Sequence, residues 1–222
     1  QSQAAKIAIK GVDVRNGRVE ADISVENLGG HKLPTGYPSR RVWLHVTVRD
    51  RNGRAIFESG AFNPNGSITG NDNDEDAMRF EPHYAEITSA DQVEIYESVM
   101  GDPQGKPTTG LLTALRFIKD NRLLPHGFDK QTADKDVAVV GEAQADADFG
   151  SGGDSIRYSA PAGNAQGPFH VEAELWYQPI AFRWAMNLKS YDSMEPKRFV
   201  GYYETAAAGS AVVLVRATAA TN

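Results

Sequence analysis

Apolar and polar residues alternate with a period of two along much of the chain. Val19, Ala21, Ile23 and Val25 take one side of a segment whose other side carries Arg18, Glu20, Asp22, Ser24 and Glu26. That period predicts an antiparallel strand with one buried and one wet face. Lys6 to Val14 precedes it across Asn16-Gly17, a two-residue hairpin signal. Arg41 to Asp50 repeats the pattern, with Val42, Leu44, Val46 and Val48 inward and Trp43, His45, Thr47 and Arg49 outward, and Asn52-Gly53 turns the chain into Arg54 to Glu58. Pro168 to Gln178 alternates as strongly, setting Phe169, Val171, Ala173, Leu175 and Tyr177 against His170, Glu172, Glu174 and Trp176. Further strands are expected at Gln92 to Met100, Ser155 to Ala160 and Ser210 to Arg216, with a short one at Val137 to Val140. Leu111 to Leu124 fits helix and strand periods alike, and strand is preferred. Ile180 to Leu188, following Pro179, reads as a short helix.

Many short strands separated by turn signals predict an all-β fold, an antiparallel two-sheet sandwich of immunoglobulin-like type with one or two short helical insertions. A single domain over residues 1–222 is expected, with surface excursions near 63–90 and 120–153 that are too rich in Gly, Asp and Asn to enter a core. Trp43 and Trp176 fall on the polar side of their strands, where their large apolar area needs cover. The helix around Phe182 and Trp184 is the expected cover, and a partner domain is the alternative.

Composition narrows the chemistry. The chain has no cysteine, which excludes disulfides, thiolate metal sites, cysteine nucleophiles and covalent attachment of c-type haem within it. A net charge of −6 without a basic block argues against a nucleic-acid partner, and no apolar run reaches the roughly 18 residues of a membrane helix. The opening Gln1-Ser-Gln-Ala-Ala lacks the basic and apolar regions of a secretory signal, as expected of either a cytosolic or an already processed chain. The nucleophile elbow, phosphate-binding glycine loop, zinc-protease helix and dinucleotide fingerprint are missing. Glu172 and Glu174 read as solvated strand charges, so catalysis by this chain alone is not expected.

Two metal sites are candidates. Asp72, Asp74 and Asp76, interleaved with Asn71 and Asn73, offer the oxygen donors calcium prefers, and Glu81 would complete an irregular site. Ala77 and His83 stand where a helix-loop-helix calcium loop needs glycine and glutamate, so that motif is absent. His45, on one strand face with Trp43, is a candidate copper ligand together with His170 or His31.

The segment Glu26-Asn-Leu-Gly-Gly-His-Lys-Leu-Pro-Thr-Gly-Tyr-Pro-Ser-Arg-Arg-Val-Trp-Leu-His45 holds a Gly/Pro-punctuated loop between two strands. Gly29, Gly30 and Gly36 permit backbone angles closed to other residues while Pro34 and Pro38 fix φ, so a rigid loop presenting His31, Thr35, Tyr37, Arg40 and Arg41 is expected. Its Gly-His-x-x-Pro-Thr-Gly run, Arg40-Arg41-Val-Trp-Leu-His-Val-Thr-Val, and Asp50-Arg-Asn-Gly-Arg-Ala-Ile-Phe-Glu-Ser-Gly60 resemble the haem-free C-terminal β domain of exported multihaem c-type cytochromes. Looser likeness continues through Phe80-Glu-Pro-His-Tyr84 and Tyr96-Glu-Ser-Val-Met-Gly-Asp-Pro103 to Val171-Glu-Ala-Glu-Leu-Trp-Tyr-Gln-Pro179. The resemblance implies a non-catalytic docking module at the periplasm or cell surface that positions haem-bearing segments or a redox partner. Haem would then reside in an adjoining region or partner, facing His31, Pro34, Thr35, Gly36, Arg40 and Arg41. An independent exported metal-binding protein is the alternative.

Overall fold

A computed structural model describes residues 3–221. Among the described residues there are twelve strands: β1 (Ala5–Arg15), β2 (Arg18–Asn27), β3 (Arg41–Arg49), β4 (Ala55–Ser59), β5 (Glu86–Ile87), β6 (Ile95–Tyr96), β7 (Ser98–Gly101), β8 (Pro107–Thr108), β9 (Arg116–Asp120), β10 (Gly153–Pro161), β11 (His170–Gln178) and β12 (Val212–Ala220). Helices α1 (Asp72–Glu75), α2 (Phe182–Asn187) and α3 (Met194–Ala206) are inserted between them. One sheet runs β1-β2-β10-β5, and the facing sheet runs β12-β11-β3-β4 with β6 also paired to β3. Pairing is antiparallel throughout these sheets except where β5 runs parallel to β10. A small third sheet, β8-β7-β9, stands apart.

The two-residue alternation explains the sandwich. Val19, Ala21, Ile23 and Val25 from β2 meet Val42, Leu44, Val46 and Val48 from β3 and Val171, Ala173 and Leu175 from β11 in one buried core. Each valine, leucine or isoleucine among them contributes about 1.5–3 kcal/mol on leaving water. Asn16 and Gly17 both take positive φ, 50° and 73°, so the β1–β2 turn is the primed type that matches the strand twist.

Several expectations change. Trp43 does point away from the core, yet it is completely buried, and its cover is not the helix at Phe182. The 60–95 segment folds back over the outer face of the sheet, so that Ile68, Val93, Ile95 and Phe62 enclose Trp43 and Trp176. The rings of Trp43, Trp176 and Phe62 stack with centroids 5.7–6.0 Å apart, and Trp43 Nε1 donates to the Gly60 carbonyl at 2.9 Å. Gly60 itself has φ 79°, and a Cβ there would lie 2.4 Å from the Leu44 carbonyl oxygen, so glycine is required at this crossing.

The polar stretch 63–76 thus enters a buried region after all, because its charges arrive already paired. Arg41 donates from Nη1 and Nη2 to both Asp74 carboxylate oxygens at 2.9 Å, from Nη2 to the Gly66 carbonyl at 3.1 Å, and from Nε to Gln178 Oε1 at 2.8 Å. Such a fork satisfies both partners without water. Likewise the 120–153 stretch is not wholly superficial, since Val139, Ala143 and Phe149 are anchored in the main core. Within it the strand expected at Val137 to Val140 is reduced to a single bridge between Val140 and Asp120. The strand expected over Leu111 to Leu124 begins only at Arg116, leaving Leu111, Leu112 and Leu115 exposed on a turn.

Candidate functional site

The His31 loop is built from its buried ends outward. Asn27, fully buried, donates from Nδ2 to the His31 carbonyl at 2.7 Å and the Leu123 carbonyl at 3.0 Å, and its Oδ1 accepts the Gly29 N–H at 2.9 Å. Leu33 and Leu123 exchange both backbone hydrogen bonds at 2.9 Å. Lys32 Nζ reaches Asp120 at 2.9 Å and the Ala138 carbonyl at 3.2 Å. Burial lowers the Lys32 pKa, and the Asp120 charge opposes that shift. These contacts tie the loop to the 120–123 segment and leave His31, Thr35, Gly36 and Tyr37 exposed. Tyr37 is steadied edge-on against Trp184 at 5.2 Å.

The other residues expected to face a partner are not free to do so. Pro34 and Arg41 are buried, Arg41 in its pairing with Asp74, and half-buried Arg40 bonds back to the Thr35 carbonyl at 2.8 Å. Of the three loop glycines only Gly36, with φ 80°, uses the left-handed region.

The residues expected to bind calcium are dispersed. Asp74 is consumed by Arg41 and the Ile68 N–H, Asp72 pairs with Arg79, and Asp76 Oδ1 accepts the Met78 N–H at 2.8 Å. Glu81 Oε1 accepts the Asp72 N–H at 2.9 Å, and burial pushes its carboxyl pKa up. Among the described residues no three of these donors gather within the 4.8 Å reach of a shared ion. The copper pair fares no better. His45 has Glu174 at 3.1 Å from Nδ1 and Glu58 at 2.9 Å from Nε2, so both ring nitrogens face carboxylates. It lies opposite Glu174, four residues along β11 from His170, which at a strand rise of about 3.3 Å separates the two by ~13 Å.

A different cluster forms where the 77–85 stretch, the segment before β6, the end of β9 and the start of β10 converge. His83 Nδ1 lies 2.9 Å from Glu94 Oε1, and Nε2 lies 3.3 Å from Asp146 Oδ2 and 3.9 Å from Asp154 Oδ2. Asn121 Nδ2 donates to Glu94 Oε1 at 2.9 Å, the Tyr84 N–H donates to Glu94 Oε2 at 2.7 Å, and the Tyr96 hydroxyl donates to Asp154 at 2.8 Å. His83, Glu94 and Asp154 are all buried, and the Phe149 ring meets the imidazole edge-on at 5.0 Å. Burial works against a charged imidazole, but the Glu94 carboxylate outweighs it, with help from Asp154, and His83 is raised to about 9. Burial, reinforced by the Glu94 charge and opposed by His83, raises Asp154 to about 7. The cluster leaves no pattern in the sequence, because its members are separated by 11, 63 and 71 positions from His83. The one local signal was Asp146-Ala-Asp148 in an otherwise plain loop.

The fold and the loop define a two-sheet antiparallel sandwich with a rigid, histidine-tipped corner. No family model matches the chain, and no curated protein matches it. Among solved structures it is similar to the penta-heme cytochrome c552 from Thermochromatium tepidum, with TM-score 0.56 and 16% identity, over 99% of this chain and 40% of that one. The likeness is one of fold, and the chain spans about two fifths of that protein's length.

Proposed function

We propose that the chain is a non-catalytic docking module of an exported multihaem cytochrome-type electron-transfer protein, positioning haem-bearing segments or a redox partner through the His31 loop. The observation that carries the reading is the likeness of nearly the whole chain to a portion of a penta-heme cytochrome. The pinned loop supports it: a corner held by Asn27, Leu123 and Asp120 loses little conformational freedom when a partner covers its exposed tip. Haem belongs to the adjoining region or partner, since this chain has no cysteine to attach it. The periplasm or cell surface is the corresponding location.

The first test is the open reading frame. Cys-x-x-Cys-His motifs in the same frame, or in a neighbouring cytochrome gene, are expected, and an isolated frame with no cytochrome beside it would sink the proposal. The second is binding: His31→Ala and Tyr37→Ala should each weaken association with the haem-bearing region at least tenfold if they act as interface anchors. Unchanged affinity in both variants rejects the His31 loop as the docking surface.

A further inference from the structure

The buried cluster around His83 sets carboxylates from three separate segments of the chain against one imidazole. Three carboxylates, Glu94, Asp146 and Asp154, lie 2.9–3.9 Å from the His83 imidazole, and Asp148 joins the outer side of the cluster through Asp146 and Asp154. The nearby buried ammonium of Lys119 is committed elsewhere, to the Ile95 carbonyl at 2.8 Å and Glu97 at 3.3 Å. Carboxylates therefore outnumber cations about the ring, with Glu94 and Asp154 buried, Asp146 half-buried and Asp148 exposed, so burial makes the excess costly on the inner side of the cluster. A cation is the group that such an arrangement lacks.

The orientation of the donors is specific. Glu94, itself fixed by Asn121 and the Tyr84 N–H, accepts from His83 Nδ1–H and so sets the ring with Nε2 toward Asp146 and Asp154. This carboxylate–histidine pairing is the arrangement that aims imidazoles at metals. Oxygens of Asp146, Asp148 and Asp154 lie within 4.8 Å of one another, His83 meets this group through Asp154 and Asp146, and the Tyr96 hydroxyl holds Asp154 in place. Asp154 belongs to β10, so one ligand rides on the sandwich itself, while Asp146 and Asp148 come from the loop beside it. Asp148 is exposed and lines a surface cleft of about 430 Å³ together with Lys10, Asp22 and Arg157.

We propose that His83, Asp146, Asp148 and Asp154 bind one divalent first-row metal ion of the Zn2+ type, with Glu94 as the positioning residue behind the histidine. An imidazole nitrogen with a small number of carboxylates is a zinc-like donor set, whereas calcium takes six to eight oxygens. On binding, the ion displaces the proton between Nε2 and the facing carboxylates and releases it to solvent. The ion would tie the 146–149 loop to β10 and the 83–94 segment. This inference is independent of the docking role, and its test involves no cytochrome.

The experiment is calorimetric titration of the chelator-stripped, chelator-free chain with Zn2+, paired with elemental analysis of the protein as purified. One equivalent is expected. Asp148→Asn and Asp146→Asn remove ligands near the surface, where the fold tolerates them, and each should weaken Zn2+ binding at least tenfold, as should Glu94→Gln by releasing the imidazole. Circular dichroism of each variant separates loss of binding from loss of fold. No stoichiometric Zn2+ uptake by the wild type, uptake unchanged in both aspartate variants, or uptake of Ca2+ in place of Zn2+ would overturn the assignment.

Discussion

Replacing Asp74 by alanine should destabilise the protein strongly while leaving its response to calcium unchanged. The side chains of Arg41 and Asp74 are 1% and 2% exposed, and Asp74 accepts both Arg41 bonds and the Ile68 N–H. Asp74→Ala leaves a guanidinium buried without its counter-charge, a change that costs about 3–5 kcal/mol. In a chain of this size each kcal/mol lowers Tm by roughly 2–4 °C, so a fall of about 6–20 °C is expected. The loss should reach the outer layer first, because the same contacts hold Gly66 and Ile68 over Trp43. Urea unfolding followed by tryptophan fluorescence reads both effects, run once with excess calcium and once with chelator. Asp74→Asn, which keeps an acceptor, should cost less. Arg41→Met combined with Asp74→Leu should recover most of the loss, since apolar replacement of a buried pair is often neutral. A loss below about 1 kcal/mol for Asp74→Ala would refute the reasoning. So would a calcium-dependent stability in the wild type that disappears in the variant.

Asn27→Ala removes three hydrogen bonds, one buried and two part-buried, and should cost about 2–4 kcal/mol, with faster amide exchange over residues 28–33, whereas exposed His31→Ala should stay within about 0.5 kcal/mol of wild type. Equal stabilities for the two variants would show that the loop is not pinned as described. Burial pushes the Glu174 carboxyl up, but hydrogen bonds from Arg216, Trp176 and His45 to its charged form together outweigh that and hold it below the ordinary value of 4.5. Its contribution to stability is therefore present above pH 4.5 and is lost as pH falls through the lower folded-state value. Glu174→Gln should flatten the acid side of a stability-versus-pH curve, and identical slopes would contradict this.

The sandwich was legible because it rests on local rules. The period of two in β2, β3 and β11 sets which side chains face the core, and Asn16-Gly17 sets a turn. The outer layer was not legible, because Asp74 looks like a solvated charge until Arg41, 33 positions earlier, is brought against it. Helix α3 escaped notice because it buries only Val200 and Tyr203 and carries Gly201 in its interior, so its apolar stripe is too narrow to read. The His31 loop could be recognised as a rigid corner, but which of its residues remain outside depended on contacts with Asp74, Leu123 and Trp184. The His83 cluster is wholly a product of long-range topology.

That topology also governs the order of events during synthesis. Strand β2 pairs with residues 153–161 and β3 with residues 170–178, so the central edges of both sheets stay open until the last third of the chain has left the ribosome. Throughout that interval two apolar strands are available to other nascent chains, and their protection has to come from chaperones or from speed. A cut in the exposed 131–136 stretch would leave two fragments, each holding strands of both sandwich sheets and neither holding either of those sheets complete. Such fragments can become this protein only by finding each other.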